Sequence, residues 1–291
     1  MTERDNRNDR DNRSARNGQD DELERIETAL LLEGIYQRYG YDFRNYAHPS
    51  IYRRIRHRLK LEGLPDISSL LGSVLRDPDA FRRLLSDLVI PVTELFRDPE
   101  MFLTFRRDVA PELRRLPYVR IWHAGCSTGE EVYSLAVLLH EEGLLDKARI
   151  YATDINEDAL QRARDGMIPI DRMKQYTRNY QAAGGKRDFS AYYASNHGIV
   201  MLKPFLREKI VFARHNLVTD SSFNEFHVVF CRNVMIYFNP QLTNQVHGLF
   251  YESLAPGGFL VLGGKESLAF TPMAERYETW NDTHRIYRKL L

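Results

Sequence analysis

The densest chemistry in the chain lies at Ile121-Trp122-His123-Ala124-Gly125-Cys126-Ser127-Thr128-Gly129-Glu130-Glu131, where a short apolar strand runs into small residues and then a helix. Its two glycines let the backbone bend sharply and bring a ligand against amide groups at the next helix's N-terminus. Such a turn is also a common connector, so its neighbours decide its meaning. One neighbour is Asp154, which ends the next strand, Arg149-Ile150-Tyr151-Ala152-Thr153. In nucleotide-binding sheets a carboxylate about 20 residues past the glycine turn accepts hydrogen bonds from ribose hydroxyls. A plain loop or helix-capping acid is the competing reading. Upstream, between Pro91 and Pro99, Thr93, Arg97 and the paired Leu95 and Phe96 form a compact polar and apolar set at a domain junction, a usual place for ligand sites.

The elements that position these residues follow from periodicity. From Tyr118 onward apolar runs alternate with amphipathic helices, which reads as a doubly wound, Rossmann-like α/β sheet. Strand 119–124, helix 130–142 and strand 149–153 form one β-α-β unit. In that helix Val132, Leu135, Ala136 and Leu139 face inward, and Asn156 caps the next helix. Residues 168–207 interrupt the alternation as a small strand-rich insertion. The sheet then resumes at Ile210–Leu217, Phe226–Val234 and Gly257–Gly263 and closes with an antiparallel hairpin near the C-terminus.

Before the sheet, residues 21–91 read as an all-helical domain and 92–291 as the α/β domain. Residues 1–20 alternate Arg with Asp and Asn, bury almost nothing and are expected to be disordered. The second helix, Ile51–Lys60, has Ile51, Tyr52, Ile55 and Leu59 on one face and Arg53, Arg56, His57 and Lys60 opposite. It carries six basic groups and no acid, which suits either a solvated face or a docking surface for an acidic partner.

Net charge is +1 over 291 residues, so the whole-protein field makes no case for nucleic acid or an anionic membrane. The only cysteines, Cys126 and Cys231, sit in turns without framework spacing, which argues against disulfides and zinc. The nine histidines lack paired helical spacing with carboxylates, so no metal is expected. No apolar run suits a signal peptide or a membrane span, and the expected location is cytoplasmic.

Taken together, these residues resemble the chemotaxis receptor glutamate methyltransferases, the CheR-type family, from about Glu22 to the C-terminus. Thr93-Glu94-Leu95-Phe96-Arg97 is similar to the family's Thr-x-Phe-Phe-Arg motif, with Leu95 in place of one Phe. Gly125–Glu131 is similar to its glycine motif, and Cys231-Arg232-Asn233-Val234-Met235-Ile236-Tyr237-Phe238 to its Arg-Asn-Val-hydrophobic-Ile-Tyr-Phe motif. The resemblance implies an S-adenosylmethionine-dependent methyltransferase sheet, with S-adenosylhomocysteine as product and no metal. It implies that Thr93 and Arg97 line the cofactor and transfer site, with Gly125 in the cofactor turn, and that Glu130 or Glu131 holds the methionine part. Asp154 would take the ribose and Asn216-Leu217 would border the adenine. Asn233-Val234 would lie beside the methionine end and Tyr237 near the transferred methyl. Arg53, Arg56 and Lys60 would form the docking face for cytoplasmic helices of chemoreceptors, the enzyme acting as a monomer without nucleic acid or membrane insertion.

Two positions depart from the family. Pro91 stands where relatives often carry Asn, removing one polar contact to the cofactor. Tyr193-Ala194-Ser195-Asn196-His197-Gly198 is shorter than, and lacks the glycines of, a loop that in some relatives grips a receptor's C-terminal pentapeptide, which speaks against tether binding. The chemistry itself needs no general base, since a glutamate with reference pKa about 4.3 is ionised at neutral pH. Three other classes compete with this reading. A non-catalytic S-adenosylmethionine-binding signalling module would need no Arg97, Asp154 and Asn233–Tyr237 set. A nucleic-acid methyltransferase is disfavoured by the neutral charge, and a dehydrogenase lacks a full Gly-x-Gly-x-x-Gly.

Overall fold

The computed structural model describes residues 4–89 and 93–290, so Pro91 lies outside the described residues. The chain divides into two compact units, Met1–Ile90 and Pro91–Leu291.

The first unit is helical. Its elements are α1 (Arg4–Tyr39), α2 (His48–Glu62), α3 (Ile67–Arg76) and α4 (Pro78–Leu88). α1 begins at Arg4, within the stretch for which disorder is expected. Between Arg4 and Tyr39 there is no proline to stop it. Asp77 closes α3 and caps α4, where its side chain accepts from the Asp79 N–H. The core joins Leu31, Leu32 and Ile35 of α1 to Ile51 and Ile55 of α2, Leu70 and Val74 of α3, and Leu84 and Leu88 of α4.

α2 differs from its helical-wheel reading in one respect. Arg54 and Arg58 are buried beside Ile51 and Ile55. Arg54 donates to the Leu88 carbonyl at the end of α4. Arg58 donates to the Arg83 carbonyl (3.0 Å) and pairs with Asp87 (2.6 Å). Arg54 therefore satisfies an end carbonyl of a neighbouring helix, and Arg58 pairs with Asp87 in its last turn, where positive charge is favourable. Arg53, Arg56, His57 and Lys60 are exposed, and Arg56 binds Glu24 through Nε at 2.6 Å.

The second unit opens with α5 (Pro99–Thr104), a π-turn at Phe105–Val109 and α6 (Ala110–Arg114). Pro111 stands two residues beyond the π-turn. It lacks an N–H and crowds the preceding carbonyls, a known cause of such widening. Then come β1 (Val119–Ala124), α7 (Glu130–Glu141), β2 (Ala148–Asp154), α8 (Glu157–Asp165), β3 (Met167–Pro169), α9 (Met173–Ala182), β4 (Tyr193–Asn196), β5 (Ile199–Leu202) and α10 (Pro204–Arg207). β6 (Ile210–Arg214), β7 (Phe226–Cys231), α11 (Pro240–Ser253), β8 (Leu254–Leu262), β9 (Tyr277–Asn281) and β10 (Ile286–Lys289) complete it.

Seven strands form one sheet in the order β6-β2-β1-β7-β8-β10-β9. β6, β2, β1, β7 and β8 are parallel, and β10 and β9 add antiparallel at the far edge. The chain moves outward from β1 to β2 and β6 and then returns to β7 on the other side of β1. The crevice beyond the C-terminal ends of β1 and β7 is therefore the topological switch point, where open α/β sheets bind ligands.

The insertion carries the expected small sheet, three strands in the order β3-β5-β4, and α9 runs between β3 and β4 with Met173, Tyr176 and Tyr180 buried at helical spacing. Phe189–Tyr192 is a 3-10 turn rather than strand. β4 and β5 join through His197 (φ +45°) and Gly198 (φ +83°), a two-residue hairpin turn of the type that needs two left-handed residues. The insertion is anchored on the C-terminal end of α7. There Glu141 Oε1 accepts from the hydroxyls of Tyr180 (2.5 Å) and Tyr192 (2.9 Å), and Oε2 pairs with Arg106 (2.5 Å).

Candidate functional site

The turn after β1 is stitched to β2. The amides of Gly125 and Cys126 both donate to the Thr153 carbonyl, at 2.8 and 2.9 Å. Gly125 has φ +74°, and a Cβ there would sit 2.4 Å from Val234 Cγ2. Gly129 has φ +90°, and its Cβ would meet Ala163 Cβ at 2.9 Å, so α8 packs directly on the bare backbone. Between them Ser127 also takes a left-handed conformation, φ +52°. Its N–H donates to Asp154 Oδ2 (2.8 Å), while Asp154 Oδ1 accepts from the Asn156 N–H (2.9 Å). Asp154 is thus held upright across two strand ends. Burial pushes its carboxyl up, against the pull of these amide bonds. The Ile155 amide also bonds the carboxylate, which keeps acceptor capacity for a further donor.

Adjacent to Asp154 is the end of β6. The His215 N–H donates to the Asp154 carbonyl (3.2 Å), and Asn216 Oδ1 accepts from the Val218 N–H (3.0 Å). That bond orients the Asn216 amide. Its Nδ2, like Ser127 Oγ, is buried with no hydrogen-bond partner among the described residues. Leu217 is buried next to it.

The two acids that open α7 have separate environments. Glu130 is 8% exposed and accepts from the Thr128 hydroxyl at 2.6 Å. Burial pushes its carboxyl up, and the Thr128 bond opposes this. Glu131 pairs with Arg232, whose other terminal nitrogen holds Asp98 at 2.6 Å. Burial opposes the Arg232 charge, but Glu131 and Asp98 together outweigh it, so the guanidinium is held above its ordinary value. Burial likewise pushes Glu131 up against the charges of Arg232 and Arg97. His123 lies 3.8 Å from Glu131, a distance that would suit an ion pair. Burial and the Arg232 charge lower its pKa to about 3, however, so His123 is neutral and stacks on Phe230 at 4.6 Å.

The segment carrying Thr93 and Arg97 is pinned on both sides. The Leu95 carbonyl accepts from Asn179 Nδ2 (3.1 Å), and the Phe96 N–H donates to Ser134 Oγ (2.7 Å), which itself donates to the Glu130 carbonyl (2.7 Å). Phe96 is fully buried against Phe102 and Tyr180. Its φ of +52° costs about 1–3 kcal/mol in a non-glycine residue. The surrounding contacts hold it there and leave Thr93 and Arg97 half-buried.

The turn after β7 completes the group. Asn233 has φ +61°, Val234 faces Gly125, and Tyr237 lies half-buried at the end of a 3-10 turn, Met235–Tyr237. Four adjacent strand ends, those of β6, β2, β1 and β7, thus carry Asn216-Leu217, Asp154, Gly125 and Asn233-Val234 side by side. The Leu95–Phe96 backbone between Thr93 and Arg97 is tied to α7 through Ser134, and the Arg97 charge acts on Glu131. Arg53, Arg56 and Lys60 belong to the helical unit and are not part of this group.

Sequence reasoning missed four supporting residues: Ser127, Ser134, Arg232 and Glu266. Arg232 had a visible signal, as a charged residue directly following an apolar strand and preceding Asn233. Among the described residues, no three His, Cys, Asp or Glu side chains cluster to hold a metal, and no helix is long and apolar enough to cross a membrane.

Comparison with known proteins points to one family. Residues 91–285 match the family model described as CheR methyltransferase, SAM binding domain, and residues 26–89 the one described as CheR methyltransferase, all-alpha domain. The Pseudomonas putida protein Cher3 is 51% identical over 91% of this chain and 97% of its own length. The chemotaxis protein methyltransferase of Salmonella typhimurium is 28% identical, covering 82% of this chain and 83% of the relative. That of Listeria monocytogenes is 28% identical, covering 79% and 85%. With its family motifs set on adjacent strand ends and both family models matched along its length, this chain belongs to the CheR methyltransferase family.

Proposed function

We propose that this protein transfers a methyl group from S-adenosylmethionine to glutamate carboxylates on the cytoplasmic helices of chemoreceptors, forming glutamyl methyl esters in sensory adaptation. The observation that carries the cofactor reading is the pair of buried polar atoms without partners, Ser127 Oγ and Asn216 Nδ2, flanking Asp154. A buried donor or acceptor left unmade costs about 1–3 kcal/mol, so a polar ligand at these strand ends relieves a standing deficit. Asp154 takes the ribose on its remaining acceptor capacity, Asn216-Leu217 borders the adenine, and Gly125, Asn233 and Val234 line the methionine end with Thr93. Glu131 is committed to Arg232, which leaves Glu130 to receive the methionine ammonium.

When bound, S-adenosylmethionine supplies an electrophilic methyl group. The incoming glutamate is already ionised, so the residues of this chain act by alignment, which is worth about 7–11 kcal/mol when complete. Arg97 orients a carboxylate with its planar guanidinium fork, and Tyr237 borders the reacting oxygen. The nearby Glu131 takes part of the Arg97 charge, and this keeps the nucleophile from being held too tightly. Arg53 and Lys60, with Arg56 in part neutralised by Glu24, present the basic face to acidic receptor helices. The enzyme works as a monomer, without metal.

The deciding experiment supplies methyl-labelled cofactor and receptor cytoplasmic fragments to the purified protein. Label should enter the fragments as a base-labile ester, and Arg97→Ala should slow its entry about 100-fold. Cofactor binding with no label transferred to any fragment would leave a non-catalytic module instead. A pH dependence follows as well. The ionised carboxylates bind the ammonium and the hydroxyls, and burial raises the pKa values of Glu130 and Asp154. S-adenosylhomocysteine affinity should therefore weaken as pH falls through those raised values, earlier than if each carboxyl titrated as an unburied one of its own type. Calorimetry across pH should give a shallower loss for Glu130→Gln, in which only Asp154 remains to take up a proton.

A further inference from the structure

We propose that Glu266 is a positioning residue for the cofactor cleft, setting the turn that holds Asn233 and Val234 against Gly125. The proposal rests on the reading of that cleft as the S-adenosylmethionine site. Glu266 lies just beyond β8 and is 5% exposed. Its Oε1 accepts from the amides of Val234 (2.9 Å) and Met235 (2.8 Å), and its Oε2 from those of Asn233 (2.9 Å) and Gly263 (2.7 Å). Three of these four donors are consecutive. Asn233 is left-handed and Val234 right-handed, the alternation that turns successive N–H groups into an anion-binding concavity. The chain fills that concavity with its own carboxylate.

The fit is close on both sides. A Cβ at Gly263 would lie 2.7 Å from Glu266 Oε2 and 2.9 Å from the Asn233 nitrogen, so only glycine lets the carboxylate seat. On the opposite side Val234 meets the bare backbone of Gly125. The turn is thus clamped between Glu266 and the glycine turn, and a shift at Glu266 moves the wall of the cleft. Four donors and no acceptor require an acceptor-only group. Glutamine has the same shape but would aim an NH₂ at two of the N–H groups.

The test is calorimetric titration of S-adenosylhomocysteine into the full-length protein and its Glu266→Gln variant. The dissociation constant should rise about tenfold or more in the variant. A control variant, Val246→Ala in the buried face of α11, lowers stability while removing none of the four Glu266 hydrogen bonds and should leave the constant unchanged. This separates positioning from general loosening. Should Glu266→Gln fail to fold, hydrogen exchange of the wild-type protein without ligand gives the second measurement. The amides of Asn233, Val234 and Met235 should already be protected. An unchanged dissociation constant in Glu266→Gln, or rapid exchange of those three amides, would overturn the proposal. Failure of the wild-type protein to bind S-adenosylhomocysteine overturns the cleft reading instead, and the exchange measurement then decides the role of Glu266 alone.

Discussion

Arg232→Met should lower the stability of the α/β unit by about 3–5 kcal/mol, the usual consequence of removing one member of a buried charge network. The guanidinium side chain is 2% exposed and holds Glu131, itself only 13% exposed, together with Asp98. Methionine fills the volume but leaves the Glu131 carboxylate with only the nearby Arg97 charge to offset its desolvation. In a unit of this size each kcal/mol shifts the melting temperature by about 2–4 °C, so thermal unfolding will show the change plainly.

The pH dependence of that loss has a definite sign. Without Arg232 the folded-state pKa of Glu131, already raised by burial, rises further. A carboxyl with a raised folded pKa favours the folded state while it is protonated, and that contribution disappears as pH rises through the folded value. Arg232→Met should therefore be less damaging at pH 5 than at pH 8. Adding Glu131→Leu should recover much of the loss, since no unpaired buried charge remains. Equal destabilisation at both pH values would show that Arg232 acts by packing rather than by charge.

Gly125→Ala should abolish tight cofactor binding while leaving the sheet intact. The added Cβ falls 2.4 Å from Val234 Cγ2, and the φ of +74° is unfavourable for alanine. The overpacking costs about 1–3 kcal/mol and the backbone about 1–2 kcal/mol more. The available relief is movement of the Val234 turn, the wall of the cleft. S-adenosylhomocysteine affinity should fall by roughly 10–100-fold. Val234→Ala in the same chain removes Cγ2 and should restore part of it. A double variant no better than Gly125→Ala would place the whole effect in the backbone.

Much of this arrangement is legible in the sequence because it rests on local patterns. Apolar runs followed by Gly125, Asp154, Asn216 and Asn233 mark strand ends, and a parallel sheet gathers strand ends on one edge. What escapes is side-chain pairing across long separations. Arg232 meets Glu131 across 101 residues, and Glu266 meets Asn233 across 33. No periodicity records such partners. Arg54 and Arg58 escape for another reason, since a helical wheel ranks residues by polarity and cannot know that α4 ends its carbonyls against that face. α9 is obscured by the glycines and charges that follow it, although Met173, Tyr176 and Tyr180 hold helical spacing.

α7 has Glu130, the acid proposed to receive the methionine ammonium, at one end and Glu141, which binds the insertion, at the other. A helix of twelve residues spans about 18 Å, and the insertion meets it at both ends: Tyr180 and Tyr192 hold Glu141, while Asn179 holds the Leu95 carbonyl beside Ser134 and the Arg172 charge acts on Glu130. The insertion is thus braced along one rigid strut, so a change in how it packs at one end is carried to the other.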